Sequence, residues 1–438
     1  MSPAFPGLDA PAIARSLARF GIAEEELGEV YLERRLEAEL PPPEARVGFR
    51  LRRDEGLAAR LVRDERSWLA SRDGLDGRSL AEALRQVARV GPAAAAEPEL
   101  ELGAPGLVVP RDAMESFPGR VEAELRRRLA AFPYRLTVRW HRRDVQVVGA
   151  RMVPPGEREA FFSLDAELPW GRVGELATEL DEATAARFAA RLVARFRARS
   201  AVAPEPGRWP LLLVPGAVAV ALHEAVAHAL EADLLARSGR PDAAIGVELG
   251  SAELDVLDDP ASAPEGVERG SDDEGVPVVR RWLLRAGRVE QPIADAASAR
   301  RWPALLPGSG FRSHRHGRPR PRTHHLEVLA GGADAAALAE AAQGGLRVDE
   351  IASGRLDAES GRFVLEVAAG RWVRGDGPGE PLGPFRIAGR VADLLGGVVA
   401  VGAEVERAGA GWCAKGGERR AVWARTPALV TTGLEVLG

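Results

Sequence analysis

The ten-residue stretch from Leu222 to Glu231 constrains this chain more than any other, because it places two imidazoles and a carboxylate on one predicted helix. It follows an almost uninterrupted apolar run from Leu211 to Leu222. Such a run predicts a deeply buried helix, where polar side chains need a partner to offset the cost of leaving water. A bound metal would be such a partner, since the set His223, Glu224 and His228 can hold an ion and activate water. The sequence therefore predicts a metal-dependent hydrolase.

The two histidines are five residues apart, one more than in the H-E-x-x-H pattern of zinc peptidases. On a regular α-helix five residues turn through roughly 500°, which leaves the two side chains about 140° out of register. A single π-turn, with its i→i+5 hydrogen bond, brings such residues back onto one face, and these turns occur mostly at functional sites. We therefore predict a π-turn between His223 and His228, with Glu224 as the general base.

A catalytic zinc usually takes three protein ligands and leaves its fourth position for water, so a third ligand must come from elsewhere in the chain. The sequence has 7 histidines and a single cysteine, Cys413, in a glycine-rich segment where the backbone can approach a metal closely. A lone cysteine is more often an inert core residue. Four histidines are rivals for the third position: His314, His316, His324 and His325. The residues alone leave this choice open.

The segment from His223 to Asp233 reads H-E-A-V-A-H-A-L-E-A-D and resembles the signature H-E-A-x-G-H-x-L-E-x-D of the TldD/PmbA family of metallopeptidases. Three later segments resemble family motifs in the same order. They are a Gly/Pro-rich loop at 317–324, a strand-turn-strand segment at 351–363, and the sequence W-C-A-K-G at 412–416. The resemblance is strong in the C-terminal half and weak over 103–200.

Carried over residue by residue, the resemblance implies that His223, His228 and Cys413 are the ligands of one zinc ion and that Glu224 is the catalytic base. It implies a zinc metallopeptidase of the HExxxH type that cleaves unfolded peptides with little side-chain specificity. Substrate would lie as an extended strand beside an enzyme sheet. The retained metal-binding residues are similar to those of the TldD-like branch. The resemblance also implies a dimer, formed with a second copy or with a PmbA-like chain.

Two positions depart from the family signature. Ala227 stands where the family has glycine before the second histidine, and Ala414 stands where it has glycine after the cysteine. Each residue adds a methyl group where backbones come close. A π-turn that needs conformations which only glycine adopts freely would be distorted by such a methyl group, and activity would be weakened.

Proline- and glycine-rich segments predict where the chain divides into separate parts. The predicted pieces are an N-terminal α/β segment at 1–90, a connector at 91–110, a middle α/β segment at 111–202 and a C-terminal metallopeptidase domain at 203–438. The middle segment includes two predicted strands, Tyr134 to His141 and Asp144 to Val153. The predicted fold class is α+β, with a mixed α/β N-terminal part and a mostly β C-terminal catalytic domain that carries a buried metal-binding helix.

Composition and patterning exclude several classes of protein. No uncharged apolar stretch reaches the ~20 residues that a membrane span needs, and the N-terminus lacks the features of a signal peptide, so we predict a cytoplasmic protein with no membrane partner. One cysteine excludes an internal disulfide framework. The basic run at 311–320 lacks an interleaved aromatic platform, and the chain carries a formal net charge of -5, so no nucleic-acid partner is predicted.

Two alternative functions remain open. The first is a catalytically weak or inactive PmbA-like partner subunit that binds peptides or a paralogous chain, against which the retained histidines and Cys413 argue. The second is a thiol or redox enzyme with Cys413 as its nucleophile. The sequence around Cys413 has no C-x-x-C motif and no evident activating partner nearby, which argues against this second hypothesis.

Overall fold

A computed structural model gives the structure of the chain. It describes residues 4–22, 27–63, 66–89, 100, 102, 106, 108–128, 130–149, 152–374 and 379–437. The predicted connector at 91–110 lies largely outside these residues. Within the described part of the chain, no helix is both long enough and apolar enough to cross a membrane.

The N-terminal part is a mixed α/β layer built on one antiparallel sheet. Its helices are α1 (Ala10–Arg19), α2 (Gly77–Ala88), α3 (Arg111–Arg127) and α4 (Glu182–Ala198). Its strands are β1 (Leu27–Leu40), β2 (Arg50–Arg63), β3 (Arg66–Asp73), β4 (Arg135–Gly149), β5 (Glu157–Leu168) and β6 (Gly171–Ala177). The strand order is β3-β2-β1-β4-β5-β6, so the predicted segments 1–90 and 111–202 contribute to the same sheet. Apolar faces of α1 and α2 pack at one end of the sheet, and those of α3 and α4 pack at the other.

Strand β4 corrects one prediction, because the sequence predicted two strands there and the structure has one continuous strand. The predicted strands were separated by Arg142 and Arg143, which are both buried within the continuous strand. Arg142 donates to Asp144, and the Nε atom of Arg143 lies 2.9 Å from a carboxylate oxygen of Glu33 on β1. Burial of these charges is offset by ion pairs with neighbouring residues, which a pattern of apolar and polar residues does not reveal.

The C-terminal part is mostly β. Its strands are β7 (Gly207–Arg208), β8 (Leu211–Leu213), β9 (Val256–Asp258), β10 (Arg281–Arg285), β11 (Arg288–Val289), β12 (Gly310–Phe311), β13 (Arg320–Pro321), β14 (His325–Val328), β15 (Leu346–Asp357), β16 (Arg362–Trp372), β17 (Pro381–Leu382), β18 (Phe385–Arg390), β19 (Val398–Lys415), β20 (Glu418–Thr431) and β21 (Glu435–Leu437). Its helices are α5 (Pro215–Leu222), α6 (Ala232–Leu235), α7 (Ala296–Arg301), α8 (Ala335–Ala341) and α9 (Val391–Gly396). The predicted combination of a mixed α/β part with a mostly β part is confirmed.

Thirteen strands of the C-terminal part form one sheet around α5. Its order is β11-β10-β9-β14-β20-β8-β15-β16-β18-β21-β7, with β17 paired to β16 and β19 paired to β20. The apolar helix α5 packs against β20, β15 and β19, and its inward side chains belong to the largest buried cluster of the protein. The helix that the apolar run predicted is therefore buried against this sheet.

A buried ionic layer joins the two parts. Arg60 on β2 lies 2.6 Å from a carboxylate oxygen of Glu274, and Arg143 on β4 lies 3.1 Å from one of Asp273. From the basic run at 311–320, Arg312 and Arg315 are almost fully buried and pair with acidic residues of β1, β2 and β3. Two of the four arginines in that run are therefore buried, and each of these two has a carboxylate partner.

Candidate metal centre

The helix that carries the candidate ligands begins at Pro215, directly after β8. Proline at the first helical position suits the start of a helix, since the missing N–H has no intrahelical acceptor there. The Oγ1 atom of Thr426 on β20 donates to the carbonyl of Pro215 over 2.6 Å and attaches this end to the sheet. From Ala217 to Leu222 the side chains are buried or nearly so, so the helix enters the core before its first polar residue.

The regular helix changes into a single π-turn at His223–Ala227. The backbone N–H of His228 donates to the carbonyl of His223, which is the predicted i→i+5 bond. The two imidazole rings face each other, with 4.6 Å between centroids and 75° between planes. The predicted π-turn is confirmed. A short 3-10 turn, His228–Leu230, then ends this helical segment.

Ala227 fits this turn without strain. Its φ of −60° and ψ of −58° are ordinary right-handed helical values that any residue adopts. The expected distortion by the methyl group is therefore absent from the backbone of the turn. Ala414, the other departure from the family signature, is exposed and lines the cleft beside the site.

Strand β19 brings Cys413 to the two histidines. Its Sγ atom lies 3.4 Å from His228 Nε2, although the two residues are 185 positions apart in sequence. One donor atom from each of His223, His228 and Cys413 lies within 4.8 Å of the others, and all three side chains are buried. Among the described residues this is the group that could hold a metal ion.

The donor set fits zinc. Both ring nitrogens of His223 are buried and have no hydrogen-bond partner, which is rare for buried polar atoms. Coordination of an ion is a simple reason for an imidazole to be held there unpaired. Two imidazole nitrogens and one sulfur atom form a set that zinc prefers, and three protein ligands leave a fourth position open.

Electrostatics favour the thiolate form of Cys413. Burial alone raises the pKa of this thiol, but the neighbouring His223 and His228 imidazoles outweigh burial and lower the pKa to about 4. The thiolate is the form of cysteine that binds metals. The site is therefore prepared to offer an anionic sulfur ligand at neutral pH.

Glu231 orients the second histidine. Its Oε2 atom lies 2.9 Å from His228 Nδ1 and also 2.9 Å from Lys415 Nζ. Burial raises the pKa of Glu231, but His228 and Lys415 outweigh it and hold the pKa at about 2. A carboxylate can only accept, so His228 donates from Nδ1 and presents Nε2 to Cys413. No role was predicted for Glu231 from the sequence, although its position three residues after a candidate ligand was a usable signal.

Glu224, the predicted base, lines the cleft next to the histidine pair. It is half-buried, and within the described parts of the chain no hydrogen-bond partner occupies its carboxylate. Gly354 on β15 lies against it, since a Cβ atom at that position would come 2.5 Å from Glu224 Cγ. Glycine thus leaves the space that the glutamate side chain occupies. Sequence reasoning did not identify this contact.

The rival histidines lie elsewhere. The four are His314, His316, His324 and His325. The Nδ1 atom of His316 bonds Ser71 over 2.8 Å, and His324 donates from Nε2 to the carbonyl of Val267 over 2.7 Å. Burial, reinforced by the nearby Arg420, lowers the pKa of His324 to about 3. Among the described side chains, none of these histidines belongs to the group around Cys413.

The site opens into a cleft with a volume of about 2170 Å³. One wall comes from the first sheet and includes Arg35, His141 and Phe161, and the other comes from β15 and β19 of the second sheet. Trp412 on β19 contacts the opposite wall, with its ring centroid 5.5 Å from that of His141. The two parts of the chain therefore form the cleft together.

Residues 206–438 match the family model described as the PmbA/TldA metallopeptidase C-terminal domain. The match covers more than half of the chain and includes all three candidate ligands and Glu224. The chain belongs to the TldD/PmbA family.

Relatives of known name agree with this membership. The chain is 28% identical over 241 residues to a metalloprotease TldD homolog of Haemophilus influenzae, covering 55% of this chain and 50% of that protein. It is 26% identical over 216 residues to a metalloprotease of Methanothermobacter thermautotrophicus, covering 49% and 47% respectively. The matched region therefore spans about half the length of these relatives.

Two solved structures share the fold over nearly the whole chain. TldE from Thermococcus kodakarensis superposes with a TM-score of 0.73 at 19% identity, covering 98% of this chain and all of that one. A putative modulator of DNA gyrase from Thermotoga maritima has a TM-score of 0.69 at 17% identity, covering 96% and 99%. These likenesses extend the family fold to the N-terminal part, where the sequence resemblance is weak.

Proposed function

We propose that this chain is a zinc-dependent metallopeptidase of the HExxxH type, with one zinc ion held by His223, His228 and Cys413. The observation that carries the proposal is the buried His223 imidazole, whose two unpartnered nitrogens lie beside the other two donors. The metalloprotease names of the TldD relatives point to the same activity. A bound zinc ion would supply a Lewis acid that polarises a carbonyl and acidifies water.

Glu224 is the general base in this proposal. Its carboxylate accepts a proton from the attacking water and donates that proton to the leaving amine. Glu224 is half-buried and lines the same cleft as the three donors, and Gly354 leaves the space for its side chain. His228 holds its own proton on Nδ1, toward Glu231, which leaves Nε2 free to act as a ligand.

The proposed substrates are unfolded peptides, read with little side-chain specificity. Between Val405 and Lys415, β19 pairs within the described sheet with β20 alone, so its other edge offers backbone groups along the cleft, apart from the Cys413 carbonyl, which accepts from Arg322. An extended peptide beside this edge would bond through its main chain, which depends little on sequence. Most backbone groups of a folded protein are already paired, so an unfolded segment fits beside this edge more readily.

Assembly and location also belong to the proposal. We expect a cytoplasmic dimer, formed by two copies of this chain or by this chain and a PmbA-like chain. A Glu224→Gln variant should retain substrate, so the chains and peptides that co-purify with it identify both the partner and the substrates. No nucleic acid or membrane is expected among them.

A second candidate is a weak or inactive partner subunit that binds peptides. The likeness to TldE over nearly the whole chain concerns the fold alone, so it does not separate this candidate from a zinc peptidase. The two candidates differ in one measurable property, because the partner subunit needs no metal.

The test combines metal analysis with a hydrolysis assay. Protein purified without added metal is expected to contain about one zinc ion per chain and to cleave unfolded casein but not a folded protein. A chelator should abolish cleavage, and added zinc should restore it. Protein that neither contains nor binds zinc contradicts the proposal and favours the partner subunit.

A further inference from the structure

Lys415 is the only lysine among the 59 lysine and arginine residues of the chain, and it lies two residues after Cys413. Its side chain is only 9% exposed. A buried ammonium group is costly unless acceptors and opposite charge surround it. The position therefore needs a physical reason for lysine.

Three acceptors surround the Lys415 ammonium group. Its Nζ atom lies 2.7 Å from Asp233 Oδ1, 2.9 Å from Glu231 Oε2 and 2.9 Å from the carbonyl oxygen of Pro321. An ammonium group carries three N–H donors on one atom, and here it donates to Asp233 and Pro321 while pairing its charge with Glu231. Arginine spreads its donors over a planar fork and cannot direct three of them from one point. The geometry of the acceptors therefore explains why lysine stands here in an arginine-rich chain.

These contacts connect the ligand-bearing elements. Glu231 Oε2 is shared, since it accepts from His228 Nδ1 and also forms an ion pair with Lys415. Lys415 lies on β19, the strand of Cys413, whereas Glu231 and Asp233 lie three and five residues after His228. The ammonium group thus connects the segment that follows the π-turn to β19, and β13 supplies the third contact through Pro321.

We propose that Lys415 and Glu231 are positioning residues, which fix the ring of His228 and hold it at the correct separation from Cys413. The inference rests on the proposed function, because it concerns the affinity of the site for zinc. Residues that orient a metal-ligating histidine typically contribute ~10- to 100-fold in metal affinity. Preorganisation of this kind needs the shape of the lysine head group as well as its charge.

Three variants separate shape from charge. Lys415→Arg keeps the charge and changes the donor geometry, Lys415→Met removes the charge at similar length, and Glu231→Asp keeps the carboxylate but shortens its reach. The control is Arg288→Met, which removes an exposed ion pair between Arg288 on β11, at the end of the strand order of the sheet, and Glu248. Zinc dissociation constants are measured by competition with a chelator, and the cobalt-substituted proteins are compared by absorption spectroscopy.

We expect all three variants to bind zinc roughly 10- to 100-fold more weakly, to change the cobalt spectrum and to retain a folded metal-free protein, whereas the control binds as wild type. Wild-type affinity and spectrum in Lys415→Arg would overturn the geometric role, and wild-type affinity in Lys415→Met would overturn the inference as a whole. A lowered melting temperature with unchanged affinity would assign Lys415 to folding alone. If Lys415→Met does not fold, the other two variants still decide. Failure of the wild type to bind zinc contradicts the proposed function instead.

Discussion

The imidazole rings of His223 and His228 meet edge to face, with 4.6 Å between their centroids. On a regular α-helix, residues five apart would point about 140° away from each other. The π-turn between them resolves this difference. His223, Ala227 and His228 all have right-handed helical backbone angles, so the shared face requires no unusual conformation at these residues.

Replacing Ala227 by the glycine of the family signature is therefore expected to leave activity and zinc affinity unchanged. It should lower the free energy of unfolding by ~1 kcal/mol, because glycine has a lower helix propensity than alanine. Denaturant unfolding and a peptidase assay measure the two effects. Ala219→Gly in the regular part of the helix is the matched control, with a similar loss of stability. A rise in activity in Ala227→Gly would mean that the methyl group strains the site.

Glu224→Gln is expected to keep zinc and to lose peptidase activity by ~10²- to 10⁴-fold, because the amide preserves size while removing the base. Metal analysis and turnover of an unfolded peptide measure this. Glu404→Gln makes the same chemical change at an exposed residue of the same cleft and should retain activity. More than a tenth of wild-type turnover in Glu224→Gln would exclude Glu224 as the base.

Gly354→Ala is expected to disturb the base without removing the metal. The new Cβ atom would lie 2.5 Å from Glu224 Cγ and 2.9 Å from Leu365 Cδ2, so the glutamate must move. Turnover should fall at least tenfold while zinc content stays constant, since misplacement of reacting groups by ~1 Å can cost 10²-fold in rate. Gly396→Ala, where a Cβ atom meets nothing within 4 Å, is the control. Unchanged turnover in Gly354→Ala would show that Glu224 is not constrained by this contact.

Cys413→Ser is expected to lower zinc content strongly, because serine is a poor zinc ligand at neutral pH. His316→Ala should retain zinc, since that ring bonds Ser71 in a different place. Metal analysis of both variants after dialysis against a weak chelator decides between them. Full zinc content in Cys413→Ser, with loss in a variant of a rival histidine such as His324→Ala, would transfer the third position away from the cysteine.

Asp258→Asn is expected to change how stability depends on pH. Burial raises the pKa of Asp258 to about 6 from an ordinary value of 3.8, so the folded protein holds this proton more tightly than the unfolded chain. The stabilising effect of the proton is full below pH 4 and is lost as pH rises through 6. The asparagine variant has no such proton. Relative to wild type, its free energy of unfolding should improve by roughly 2 to 3 kcal/mol between pH 4 and 7, measured by denaturant unfolding, whereas a constant difference would contradict the raised pKa.

Local features of the site could be predicted from the sequence. The apolar run before His223 predicted a buried helix, and the spacing of His223 and His228 predicted the π-turn, because side-chain direction on a helix depends only on the number of intervening residues. The same local reasoning predicted a mixed α/β first part and a mostly β second part. The family resemblance, not spacing, singled out Cys413.

Other features depended on tertiary structure. The register of β19 against β20 carries Cys413 to His228 across 185 residues, and β15 brings Gly354 against Glu224. Strand β4 continues through two buried arginines because acidic residues within the strand and on β1 pair with them. Contacts of this kind depend on which strands pair and in which register, and that is decided by packing of the whole sheet. The periodicity of a sequence shows only which residues share a face of one helix or strand, so it predicted the helix and its π-turn. The third donor, Cys413, joins the two histidines only when strand pairing and register bring distant parts of the chain together.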